Sequence, residues 1–179
     1  MRILQATAFL LAIAVPGFAR QFVATEADFA CIQTFTKLAG HRTRIYNRNP
    51  RRLEHAKKVL ASARPGRRYP VGTIIELVPP LPAAHFLGEA MVKRGGAFNR
   101  AGNGWEFFVL GVREDGSTEI VKRGGPEVIN IGQPCQGCHT PAKKFDFVCE
   151  SDRGCIPLNL TQDLIDILQA GDPRCAAHP

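Results

Sequence analysis

The sequence predicts an α+β fold: helices first, a small antiparallel β-sheet in the middle, and a cysteine-rich C-terminal segment. Three observations carry this. Asn49-Pro50 reads as a helix cap followed by Pro at the first helical position. β-Branched and aromatic runs separated by turn residues fill the stretch from Val71 to Lys122. Finally, 17 Gly and 13 Pro in 179 residues are too many for a simple helix bundle.

Each element follows in order. Met1-Arg2, an apolar run from Ala6 to Val15, and then Pro16-Gly17-Phe18-Ala19 form the pattern of a secretory signal cleaved after Ala19. The run is too short for the roughly 18 residues of a membrane span. Residues 20–179 then form a single domain, exported most naturally to a bacterial periplasm. Thr25 caps a helix to about Ala39, with Asp28 completing a box-like cap, Phe29, Ile32, Phe35 and Leu38 on one face, and Gly40 as the stop. A second helix runs from Pro50 to about Ala63, with Leu53, Ala56 and Leu60 as its apolar stripe. Strands follow at Val71–Val78, Glu89–Lys93 and Trp105–Arg113, the last opened by Asn103-Gly104. Glu114–Ser117 turns into a strand over Thr118–Lys122. The chain is then loop-rich until a last helix over Leu160–Ala170, ended by Gly171 and Pro173.

The formal charge of +7 is local. The stretch from His41 to Arg68 holds ten of the 23 Lys and Arg residues and one of the 16 acids, Glu54. It reads as a solvated helix face or as a docking patch for an anionic or redox partner. Nucleic acid is disfavoured, because Tyr46 is the sole aromatic there to stack a base.

Residues 135–139 read Cys-Gln-Gly-Cys-His, the attachment signature of c-type haem. Thiols three residues apart can each add to one haem vinyl group, and the His directly after them supplies an imidazole nitrogen to the iron. Cys135 and Cys138 are therefore the expected anchors of one haem c, and His139 its iron ligand. A zinc site needs a second ligand pair, and Cys149/Cys155 has the wrong spacing. More than a hundred residues precede the motif and no Met follows it. With Met1 removed, Met91 is the remaining thioether; His41 and His85 lie in loops, while His55 and His178 read as solvated. The expected iron is five-coordinate, open to small ligands such as NO or CO. The alternatives are a haem enzyme oxidising hydroxylamine or a related nitrogen compound, and a periplasmic electron-transfer cytochrome.

Cys31, Cys149, Cys155 and Cys175 remain, and four cysteines allow three connectivities. Cys149–Cys155 is favoured because Arg153-Gly154 permits a tight loop, which leaves Cys31–Cys175. On the loop-entropy view these contribute roughly 2 and up to roughly 5 kcal/mol.

The order GTII (72–75), EAMVKRGGAF (89–98), GNGWEFFVL (102–110), CQGCH (135–139) and DFV (146–148) resembles the cytochrome P-460 family, which includes cytochrome c-prime-beta. The resemblance covers roughly Gly72 to Val148. It implies an exported, mostly β, homodimeric mono-haem cytochrome. It also implies a lysine cross-linked to the haem in hydroxylamine-oxidising members, five residues after the Gly of the Gly-Thr strand. Here that position is Leu77, and no lysine lies between Lys58 and Lys93. Strand alternation groups Thr73, Ile75 and Leu77 on one face, taken as the haem-facing one, and Ile74, Glu76 and Val78 on the other. An apolar face of that kind suits uncharged diatomic ligands, as in cytochrome c-prime-beta. Glu76, Glu89 and Glu106 are further carboxylate candidates, and Phe86, Phe98 and Phe108 are candidates to cap the iron's open side.

Overall fold

A computed structural model describes residues 21–81, 86–157 and 159–176. The expected signal segment, His85 and His178 lie outside these residues.

Six antiparallel strands pair in chain order: β1 (Thr36–Lys37), β2 (Arg44–Tyr46), β3 (Ile74–Glu76), β4 (Gly88–Lys93), β5 (Trp105–Val112) and β6 (Thr118–Gly124). A two-stranded ladder, β7 (Ile129–Asn130) with β8 (Gln133–Pro134), stands apart. The helices are α1 (Pro50–Ser62), α2 (Cys135–His139), α3 (Gln162–Ala170) and α4 (Pro173–Ala176). The α+β class expected from the sequence is the class observed. No described helix is long and apolar enough to cross a membrane.

Both faces of the sheet are covered, so alternation sorts apolar residues into two clusters. Register aligns Ile45 with Ile75, Ile75 with Met91, and Met91 with Phe107, which puts these four side chains in one row across β2 to β5. That row packs with Ala56, Val59 and Leu60 of α1 and with Trp105, Phe147 and Val148. On the opposite face Ile74, Ala90, Val92, Phe108 and Leu110 pack with Ala24, Phe29 and Phe35.

The α1 helix follows its sequence signals closely. Asn49 Oδ1 accepts from Arg52 N at 3.2 Å, Pro50 opens the first turn, and Ala63 closes it at a φ of 45°. Asn103 and Gly104 both take positive φ, as the turn into β5 requires. A Cβ at Gly104 would lie 3.1 Å from the Gly95 Cα, so the close approach of these two loops also calls for glycine.

Two expectations need correction. The helix from Thr25 to Ala39 does not form. Instead the segment makes 3-10 turns at Glu26–Phe29 and Ile32–Thr34 and then enters β1. The Thr25/Asp28 cap is present, with Thr25 N donating to Asp28 Oδ2 at 2.8 Å. Tertiary bonds override the helical period. Ile32 N donates to Asp172 Oδ2 at 2.8 Å, Cys31 is disulfide-bonded to Cys175, and Thr36-Lys37 pairs with β2. The strand expected over Val71–Val78 is ordered as a strand only at Ile74–Glu76, because Thr73 N closes a turn onto Pro70 O at 3.1 Å.

Burial of charge marks where the ends of the chain are tied. Arg174 is fully buried, with its guanidinium 2.6 Å from Glu76 Oε1 and 2.8 Å from Asp172 Oδ1; it also donates to Phe29 O at 2.8 Å. Glu76 is therefore the sheet's anchor for the C-terminal tail. The disulfides Cys31–Cys175 and Cys149–Cys155 are both formed, the first beside this cluster.

Burial pushes the Glu76 carboxyl up to about 7, against the opposing pull of Arg174. A folded-state value above the ordinary one gives a contribution that is full below about pH 4.5 and lost as pH rises through 7. Replacing Arg174 with Met should therefore cost about 3–5 kcal/mol at pH 7. The loss should be clearly smaller at pH 4, where the stranded Glu76 carboxylate can take up a proton. Urea unfolding at the two pH values checks this, and equal losses at both would contradict it.

Candidate functional site

The Cys-Gln-Gly-Cys-His segment is delivered to the sheet by the β7–β8 hairpin. Ile131 and Gly132 sit at its tip with φ of 50° and 75°, the pattern of a two-residue primed turn. Cys135 N then donates to Val128 O at 2.9 Å, and the five residues Cys135–His139 wind into α2. A 3-10 turn over Thr140–Phe145 continues it. Sequence reasoning treated this hairpin as loop. Gly132 was its one signal, but Ile at the neighbouring left-handed position is not the expected Asn.

Cys135, Cys138 and His139 line one wall of a cleft of about 230 Å³. Ile75, Leu77, Met91 and Phe107 of the sheet side, with Val148 and the Cys149–Cys155 disulfide, make the remainder largely apolar. The His139 ring lies 5.3 Å, centroid to centroid, from Phe107. Its Nδ1 is 2.7 Å from the Phe147 carbonyl oxygen, which requires Nδ1 to carry the proton and leaves Nε2 with its lone pair free. Burial holds the imidazole below its usual pKa, so it is neutral at pH 7.

Cys135 and Cys138 are unpaired while the other four cysteines are bonded. Burial, aided by the Glu89 carboxylate, pushes the Cys135 thiol up to about 11. A reactive redox CxxC pair needs the opposite shift. At the mouth, Ile131 is 80% exposed and Ile156 64% exposed. Two large aliphatic groups left uncovered beside an apolar cleft are what a bound apolar molecule would cover.

The sequence-derived candidates divide cleanly. Ile75 and Leu77 line the cleft. Thr73 does not: it is buried elsewhere, its hydroxyl donating to Pro70 O at 2.8 Å. Glu89, one of the carboxylate candidates, lines the cleft and accepts a hydrogen bond from Asn130. Glu76 and Glu106 face the other side of the sheet; Glu106 pairs with Arg123 at 2.9 Å and Arg94 at 3.4 Å. Of the proposed capping rings, Phe86 lies exposed, Phe98 stacks beneath Arg94, and Phe108 borders the cleft but turns its ring to Phe29. Phe107 was missed, though alternation from Trp105 to Val109 places it on the Ile75 face. Met91 lines the cleft beside Phe107, whereas His41 lies 3.6 Å from Glu150 and outside it.

The basic stretch is partly consumed by the fold. Arg42 bonds Leu160 O, Arg44 bonds Gln169, Arg48 pairs with Asp28, and Arg52 bonds Val71 O. Arg67 borders a second, open cleft of about 570 Å³ with Lys143, Lys144 and Pro141; Arg68 borders it too, but lies 3.7 Å from Asp146 on the same lining. This cleft therefore lies against the turn that follows His139.

No family model matches the chain, and neither a curated protein nor a solved structure does.

Thiol alkylation followed by intact-mass measurement on non-reduced protein made without haem should label two cysteines, Cys135 and Cys138. Four labels would contradict the two disulfides, and none would place a disulfide between Cys135 and Cys138.

Proposed function

We propose that this chain is an exported mono-haem c-type cytochrome whose iron, held by His139, is five-coordinate and takes a small ligand such as NO or CO. The observation that carries this is His139: its Nδ1 proton is committed to the Phe147 carbonyl, and its bare Nε2 accompanies two unpaired thiols at an apolar cleft. Metal-ligating histidines are typically oriented by such a bond from the second ring nitrogen. The fit extends to the remainder of the cleft. Cys135 and Cys138 are spaced to hold a haem through its vinyl groups, and Ile75, Leu77, Ile131 and Ile156 offer it aliphatic surface. A haem iron held by one imidazole offers its open side to small neutral ligands. Met91 lines the sheet wall of the cleft with Ile75 and Phe107 and is the thioether that an electron-transfer reading would use as second ligand.

The resemblance to the cytochrome P-460 family agrees with this reading in motif order. Hydroxylamine oxidation is disfavoured, because Leu77 stands where the cross-linking lysine is expected and no lysine lines the cleft among the described residues. An electron-transfer role is the second reading. The cations of Arg67, Arg68, Lys143 and Lys144 beside the haem segment favour it, since such a surface attracts an acidic redox partner.

The test is the ferrous absorption spectrum of the exported protein with and without CO. A covalently bound, high-spin haem that binds CO is expected, and replacing both Cys135 and Cys138 with Ala should abolish covalent haem. A protein exported without covalent haem would sink the proposal. A low-spin spectrum in both redox states, converted to high-spin by Met91→Leu, would replace it with the electron-transfer reading. A strongly red-shifted, broadened ferrous Soret band would reinstate the cross-linked enzyme.

A further inference from the structure

The Phe147 carbonyl that orients His139 is itself aimed by an unusual piece of backbone. Asp146 and Phe147 are consecutive non-glycine residues at φ of 58° and 64°. The left-handed region is unfavourable for L-residues, more so for a bulky aromatic, and persists only where surroundings enforce it. Here the surroundings converge on Asp146. The Lys93 ammonium lies 2.8 and 2.7 Å from its two carboxylate oxygens. Tyr69 N donates to Oδ2 at 2.8 Å and Asn103 Nδ2 to Oδ1 at 3.1 Å. The Asp146 carbonyl accepts from the Trp105 indole at 2.6 Å. Asp146 is 1% exposed and Lys93 is 5% exposed, with the Lys93 ammonium also 4.9 Å above the Trp105 ring. Phe147 N closes the reversal onto Ala142 O at 3.0 Å.

A buried carboxylate with this many donors has one position available to it. The peptide that follows it therefore has one direction, and the carbonyl of that next residue meets His139 Nδ1. We propose that Asp146, tethered by Lys93, is a positioning residue: it holds the left-handed turn that directs the Phe147 carbonyl to His139 and so fixes the tautomer with Nε2 free. This deepens the haem reading, because the strength of the Nδ1 bond sets how much electron density the imidazole offers a metal at Nε2. The structural part does not depend on haem.

The variant is Asp146→Asn, which keeps the shape and tolerates left-handed backbone but removes the charge that binds Lys93. Asn103→Gly is the milder second variant; it removes one hydrogen bond to the carboxylate and suits the positive φ at that position. Glu106→Gln is the control: a buried, ion-paired carboxylate on the opposite face of the sheet. Imidazole nitrogen-15 shifts of His139 in the full chain without haem should show a protonated Nδ1 and a bare Nε2 in the parent. Asp146→Asn should move these shifts toward a mixture of tautomers, Asn103→Gly should move them the same way by less, and Glu106→Gln should leave them unchanged. In the haem-loaded protein, Asp146→Asn should raise the midpoint potential and lower the ferrous iron–histidine stretching frequency, with no such change in Glu106→Gln. If Asp146→Asn and Glu106→Gln lose stability alike and neither alters the His139 shifts, Asp146 is merely structural and the proposal fails. If no haem is bound, the nitrogen-15 result still decides it, so its failure is separable from failure of the haem reading.

Discussion

Lys93 and Asp146 form the joint between the sheet and the segment that carries Cys135 to His139. Lys93 ends β4, and Asp146 reverses the chain after α2 and its 3-10 continuation. A buried ammonium and carboxylate must stay together, because separating them leaves an uncompensated charge in a low-dielectric interior. The pair also places Trp105, whose ring lies under the ammonium and whose indole N–H closes on the Asp146 carbonyl. The beginning of β5, the end of β4 and the turn behind His139 are thus located relative to one another by a single polar contact set within an otherwise apolar region.

The cleft follows from that joint and from alternation. Once β4 and β5 are in register, Met91 and Phe107 must share a face with Ile75, and this face becomes the wall opposite Cys135 and Cys138. The polar groups that sequence reasoning offered as site residues fall on the other face. There Glu76 and Glu106 are each neutralised by arginine. The same period that makes one side of the sheet apolar therefore moves its carboxylates out of the site, and Glu89 stays at the cleft with Asn130 as its donor.

The C-terminal tail is fastened separately. Arg174 reaches through the core to Glu76 and Phe29, and the Cys31–Cys175 disulfide closes the same corner covalently. The first buried segment cannot extend as a helix here, because its backbone is already engaged by the tail and by β2. The cationic stretch was similarly redistributed. Several of its arginines satisfy carbonyl and carboxylate oxygens of the fold, Arg68 among them through Asp146, and Arg67 gathers with Lys143 and Lys144 beside the turn that follows His139.

Local features determined much of this protein unaided. Of the three connectivities open to the four remaining cysteines folding selects the favoured one, whereas the α1 cap and stripe, the order of β3 to β6, the α+β class and the Cys135, Cys138, His139 spacing depend on residues close in sequence. Neighbour chemistry is all they require. Tertiary structure decided the remainder. Phe107 rather than Phe108 faces the cleft, Thr73 leaves it and Glu89 enters it, since which face of a strand is covered depends on what packs there. The left-handed pair Asp146-Phe147 could not be read from its own residues, because the bulky Phe147 disfavours it. It exists because Lys93, Tyr69, Asn103 and Trp105, 41 to 77 residues away in the chain, bind the carboxylate and the carbonyl in that one conformation.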